Sequence, residues 1–166
     1  MKALVLGSLF TAFISLVVYL TSIIAVHGIR KSISDSNYFL QKPYKLVFEI
    51  VMWICGLAII ITGIFIKGNP DWMVIAGGSG IFMVGVFSDF KRNRIIRIAH
   101  YFFAIGGFTL LGLSYHFSFG YINYTILIGI SALFASAFAD KRIWCLELTL
   151  SAEIFIGLFY LAHSIM

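Results

Sequence analysis

The sequence predicts an all-α integral membrane bundle, and three observations carry that expectation. The 166-residue chain is 61% hydrophobic and only 11% charged, and its mean hydropathy is +1.00. A soluble domain of this length needs far more polar surface. About 20 apolar residues cross the hydrocarbon core as a helix. Six stretches approach or exceed that length, over 3–27, 46–66, 72–88, 95–118, 121–139 and 143–165. They use up almost the whole chain. Runs such as Leu57, Ala58, Ile59, Ile60 and Ile61 do not alternate in polarity, which argues against a β-barrel. The expectation is one transmembrane domain over 1–166, a bundle of six helices with short loops.

The first stretch is about twice as long as the core of a signal peptide, and no A-x-A site precedes His27, so it is expected to be retained. The loop after it, roughly 28–45, is the longest. Its Ser32, Ser34, Asp35, Ser36 and Asn37 can bond their own backbone. Tyr38, Phe39 and Leu40 suit the membrane interface or the underside of the bundle. Pro43 fits the first turn of the next helix. The loop reads as an interfacial connector or, functionally, as a lid or cytoplasmic recognition surface. The second loop, Gly68, Asn69, Pro70 and Asp71, is turn chemistry, followed by Trp72 at the depth of an interface anchor. The fifth loop, Asp140, Lys141 and Arg142, is a tight hairpin.

Charge sets the expected orientation. Arg30, Lys31, Lys42, Lys45, Lys91, Arg92, Arg94, Arg97, Lys141 and Arg142 fall on one side, and only Lys2 and Lys67 on the other. Ten against two is a strong positive-inside bias, which places loops one, three and five in the cytoplasm. Both termini then face outward, as expected of a multi-pass protein of a cell membrane, such as a bacterial inner membrane. The net charge of +5 forms no groove-reading pattern, so nucleic acid is not an expected partner.

Small residues mark expected helix contacts. Gly7, Thr11 and Ser15 recur at intervals of four, as do Ser131, Ala135 and Ala139. Such faces let backbones approach closely and suit homo-oligomer contacts. Gly77, Gly78 and Gly80, with Gly106 and Gly107, mark close crossings or a non-helical break lining a cavity. Cys55 and Cys145 lie inside apolar helices and read as free, buried residues.

Five ionisable residues are the candidate binding groups: Glu153, Glu147, His100, Glu49 and Asp89. A carboxylate at mid-membrane costs about 2.5–3.5 kcal/mol to insert, so Glu153 is expected to face protein, water, a cation or a ligand. Glu49, Asp89, His100 and Glu147 share one cytoplasmic layer, contributed by four helices. They can pair with Lys45, Arg92, Arg94 or Arg142, bind a cation, or do acid–base work. His100 is expected to point into the bundle and to bond Glu147 or Glu49, because an imidazole facing lipid leaves polar nitrogens unsatisfied.

The run from Ser32 to Leu40, followed by Phe48 and Trp53, resembles a loop-plus-helix signature of small polytopic membrane proteins of the Bacteroidota. His100 in a middle helix and Trp144, Cys145, Leu146 and Glu147 opening the last one add to it. Asn37 departs from the aromatic that pattern carries before its tyrosine. The resemblance implies the class alone. Ser79, Asp89 and His100 also resemble in kind the zinc site of ceramidase-like hydrolases, but the last helix has only His163 where those carry a His pair.

The leading expectation is a non-enzymatic membrane protein with no cofactor, whose bundle encloses a polar cavity for a small solute, ion or lipid. The alternatives are a metal-dependent intramembrane hydrolase using Glu49, Asp89, His100 and Glu147, and a helix-packing scaffold subunit.

Overall fold

The computed structural model describes residues 2–29, 31–40, 44–66, 71–119 and 142–164. Among them are five α-helices, a short 3-10 helix and no strand. Helix α1 spans Lys2–His27, α2 Lys45–Phe65, α3 Asp71–Val86, α4 Arg94–Phe119 and α5 Arg142–Ser164. The 3-10 helix, Ser34–Phe39, lies in the loop between α1 and α2. The expected fifth stretch, 121–139, with its Ser131, Ala135 and Ala139 face, lies outside the described residues.

Four helices, α1, α2, α4 and α5, are long and apolar enough to cross a membrane. Helix α3 has 16 residues, about 24 Å of rise against a core of about 30 Å, and stops short of the predicted 88. Its final carbonyls are taken up locally instead. The Phe87 and Ser88 amides bond back to Met83 and Gly85, and loop residues collect what remains, as shown below. The other ends follow local chemistry. Gly28 adopts φ +69 and its amide bonds Ile24 at 3.0 Å, the left-handed cap that ends α1. The Asn93 side chain caps α4 by accepting from the Ile95 amide at 2.8 Å.

Helix directions follow from the contacts. Cys55 of α2 meets Ala12 of α1, and Tyr19 meets Phe48, so these helices are antiparallel. Helix α3 runs back along α2, with Gly56 against Phe82 and Gly78 against Ile59. Helix α4 reverses again, pairing Gly77 with Leu111, Gly80 with Gly107 and Phe87 with Phe103. Helix α5 is antiparallel to α1: Phe13 packs on Phe155, Phe10 on Phe159, and Lys2 Nζ bonds the His163 carbonyl at 3.0 Å. Helices α2, α4 and α5 therefore share one direction.

The glycines of α3 decide how closely the centre packs. A Cβ on Gly80 falls 2.8 Å from the Gly107 Cα, and one on Gly78 falls 2.9 Å from the Ile60 amide nitrogen. These are backbone atoms that cannot step aside. Of the two readings of the glycine run, close crossings are the one observed, with α3 unbroken between α2 and α4. The α1 face behaves differently. Gly7 and Thr11 are exposed, nothing lies within 4 Å of a Cβ on Gly7, and Thr11 and Ser15 bond their own helix carbonyls. That stripe makes no close crossing within the described bundle.

Candidate functional site

The loop after α1 is folded under one end of the bundle. Ser32 Oγ accepts from the Asp35 amide at 2.9 Å, and Ser36 Oγ donates to the Ile33 carbonyl. These local bonds fold a short 3-10 helix from a run too polar for a membrane helix. The turn is buried: Ser36 and Asn37 are 0% and 1% exposed. A surface connector would have left them in water.

The buried polar groups reach α1 and the segment between α3 and α4. Ser36 Oγ lies 2.6 Å from Tyr19 Oη of α1. Asn37 Nδ2 donates to the Ser88 carbonyl beyond α3, at 3.5 Å, and Ser88 Oγ donates to Glu49 of α2 at 2.6 Å. Asp35 forms an ion pair with Lys91, whose amide bonds Tyr38 Oη and whose ammonium lies 4.4 Å from the Tyr38 ring centre. Burial holds the Tyr38 phenol above its ordinary 10.0; nearby Asp89 raises it further, and the Lys91 amide opposes them. On α5, the Trp144 amide bonds the Lys31 carbonyl at 3.1 Å, and the Ile33 amide donates to the Glu147 carboxylate. The loop is a plug tied to the ends of several helices.

The residues expected to share one layer do gather around this plug, but not in the pairing expected. His100 is buried, as predicted, at 1% exposure. Its partner is a backbone carbonyl and neither Glu147 nor Glu49: Nδ1 lies 3.0 Å from Phe87 O, and the ring stacks on Phe90 at 4.4 Å. The reason is the early end of α3. A helix C-terminus leaves carbonyls without partners, and an imidazole N–H on the neighbouring helix is the nearest donor. Among the described residues Glu49 and Glu147 make no pair with a basic loop residue; Ser88 and the Ile33 amide hold them. Asp89 is half-buried next to Tyr38. Among the described residues no three His, Cys, Asp or Glu side chains converge as metal ligands. The set Glu49, Asp89, His100 and Glu147 is therefore a layer without a common centre.

Above the plug lies a cavity of about 60 Å³. All five described helices contribute to its wall. Leu16, Met52, Ile81, Phe108 and Phe155 make it apolar, and Ile33 and Ser34 of the plug form part of it. Glu147 and Ser151 are on the wall, one turn apart on α5. Glu153 is half-buried and is not part of that wall; six residues on from Glu147, it points about 120° away around the helix. The carboxylate facing the cavity is thus the shallower of the two. Cys55 also lines the cavity, and both cysteines are free and buried.

Ser151, Ser88 and the Ile33 amide are site groups that the sequence reading missed. Ser151 was within reach, because it stands four residues after Glu147 and so on the same helix face. Ser88 and Ile33 carry no such signal. Comparison with protein-family models, curated proteins and solved structures gives no match.

Proposed function

We propose that this chain is a multi-pass membrane protein that binds or moves a small solute in the cavity beside Glu147, with the loop after α1 as its cytoplasmic cover. The observation that carries the reading is an apolar cavity with one carboxylate on its wall, directly above a buried polar plug. An acid in such a place is expensive to keep unless it faces a ligand or water.

Six crossings fit this reading. Helices α4 and α5 run the same way, as a six-crossing chain requires of its fourth and sixth crossings, and the sequence between them holds the apolar stretch 121–139. The termini share one end, where Lys2 bonds His163, and Lys31, Lys45, Lys91, Arg92, Arg94 and Arg97 lie at the plug end. The positive-inside rule then puts the plug in the cytoplasm.

Thermal stabilisation of the purified protein by a panel of small solutes tests the reading. At least one should stabilise the wild type and have no effect on an Ala104→Leu variant, in which the cavity is partly filled. A panel without effect on the wild type defeats it. A scaffold role is the second reading, favoured by the exposed Gly7 and Thr11 face of α1.

A further inference from the structure

The polar groups of the cavity wall are matched to one chemical class of ligand. Among the described residues no lysine, arginine or histidine lines the cavity. Among the described residues Glu147 receives a single hydrogen bond, from the Ile33 amide, and no cation, whereas a carboxylate has about four lone-pair sites. The nearby acid, Asp35, is already paired with Lys91. The hydroxyl proton of Ser151 is committed to the Glu147 carbonyl at 2.7 Å, and the thiol proton of Cys55 points to the Ala12 carbonyl at 3.7 Å. Both are thereby left as acceptors among the lining residues. The Ser34 hydroxyl can turn either way. An anion would meet no fixed donor here, and a neutral apolar solute would leave Glu147 short of partners.

From this we infer that the cavity takes a small organic ammonium, its N–H groups on Glu147 and Ser151 and its carbon body against Met52, Ile81, Phe108 and Phe155. The inference rests on the solute-binding reading above and names its ligand class. The cavity volume of about 60 Å³ holds about five non-hydrogen atoms, at roughly 10–15 Å³ per water-sized occupant. That suits a branched four-carbon amine. Aromatic rings in the wall also favour a cation over a neutral isostere.

Three probes of nearly one shape separate the classes: isobutylammonium, isobutanol and isobutyrate, titrated calorimetrically into the full-length protein in detergent, against detergent alone. The ammonium should bind at least about tenfold more tightly than the alcohol, and the carboxylate should not bind, since a charge-assisted bond replaces a neutral one. Glu147→Gln keeps an oxygen for the Ile33 amide and should bring ammonium and alcohol to similar affinities. Equal or tighter binding of isobutanol by the wild type overturns the cation inference and leaves the cavity reading standing. Absence of binding by all three overturns both. A folded Glu147→Gln protein that still prefers the ammonium removes Glu147 from the site. If that variant does not fold, the wild-type ratio alone decides.

Discussion

The backbone amide of Ile33 donates to the carboxylate of Glu147, joining residues 114 positions apart. One bond thereby ties the loop after α1 to the last described helix and orients the only acid among the described residues of the cavity wall. Glu147 serves the fold and the cavity at once.

Two substitutions separate those roles. Glu147→Gln retains an acceptor for the Ile33 amide and should leave the stability nearly unchanged. Glu147→Leu strands that amide in a buried place, at a cost of about 1–3 kcal/mol. Amide hydrogen exchange over 31–37 should speed up in the leucine variant alone. Equal protection in both would show that the bond does not hold the plug.

Tyr19→Phe removes the phenol that reaches Ser36 at 2.6 Å. Ser36 already donates to Ile33, so Tyr19 is the donor in this bond. The loss should be about 1 kcal/mol, read as a lower melting temperature, with exchange at 34–37 faster and exchange in α4 unaltered.

Glycines of α3 and α4 give a paired test of packing. Gly80→Ala drives a methyl into the Gly107 backbone and should destabilise by about 1–3 kcal/mol. Gly106 has nothing within 4 Å of a Cβ, so Gly106→Ala should be neutral or stabilise by up to about 1 kcal/mol. Unfolding in mixed detergent micelles measures both. Equal effects would mean that close approach does not set the α3–α4 distance.

Alkaline pH should loosen the plug through Tyr38. Its phenol is held above the ordinary 10.0 in the folded protein, chiefly by burial, so the fold binds that proton more tightly than the unfolded chain does. The stabilisation is fully present below about pH 10 and is lost as pH rises through the folded value. Exchange at 31–40 should therefore accelerate above pH 10 more steeply in the wild type than in Tyr38→Phe. The variant comparison isolates the contribution of this phenol. Parallel profiles would show that Tyr38 does not carry the loosening.

Orientation is best read at exposed positions. Residues 35–37 are buried, so labelling there reports folding rather than sidedness. Asn93 and Ala3 are exposed at opposite ends. In a background lacking Cys55 and Cys145, a cysteine at Asn93 should react only from the cytoplasm and one at Ala3 only from outside. The reverse pattern would invert the topology.

Composition and span length by themselves determined that this is an all-helical chain suited to a membrane. They also set the ends of α1, α2, α4 and α5 to within a few residues. Both follow from one-dimensional physics, since apolar runs of about 20 residues have one good conformation in lipid. The depth of His100, Glu49 and Glu147 was legible for the same reason, at 1.5 Å per residue. Their partners were not. Depth fixes a layer, but a hydrogen bond depends on azimuth, and azimuth depends on which glycines let which helices touch. Only the tertiary structure turned His100 to the last carbonyls of a short α3, Glu49 to Ser88, and Glu147 to a loop amide. It also set Glu147 rather than the deeper Glu153 on the cavity wall, because a cavity is the space left when helices pack, and no single helix encodes it. The buried loop makes the same point. Its polar residues read as surface from sequence, and they are interior because they found partners on α1 and on the segment between α3 and α4.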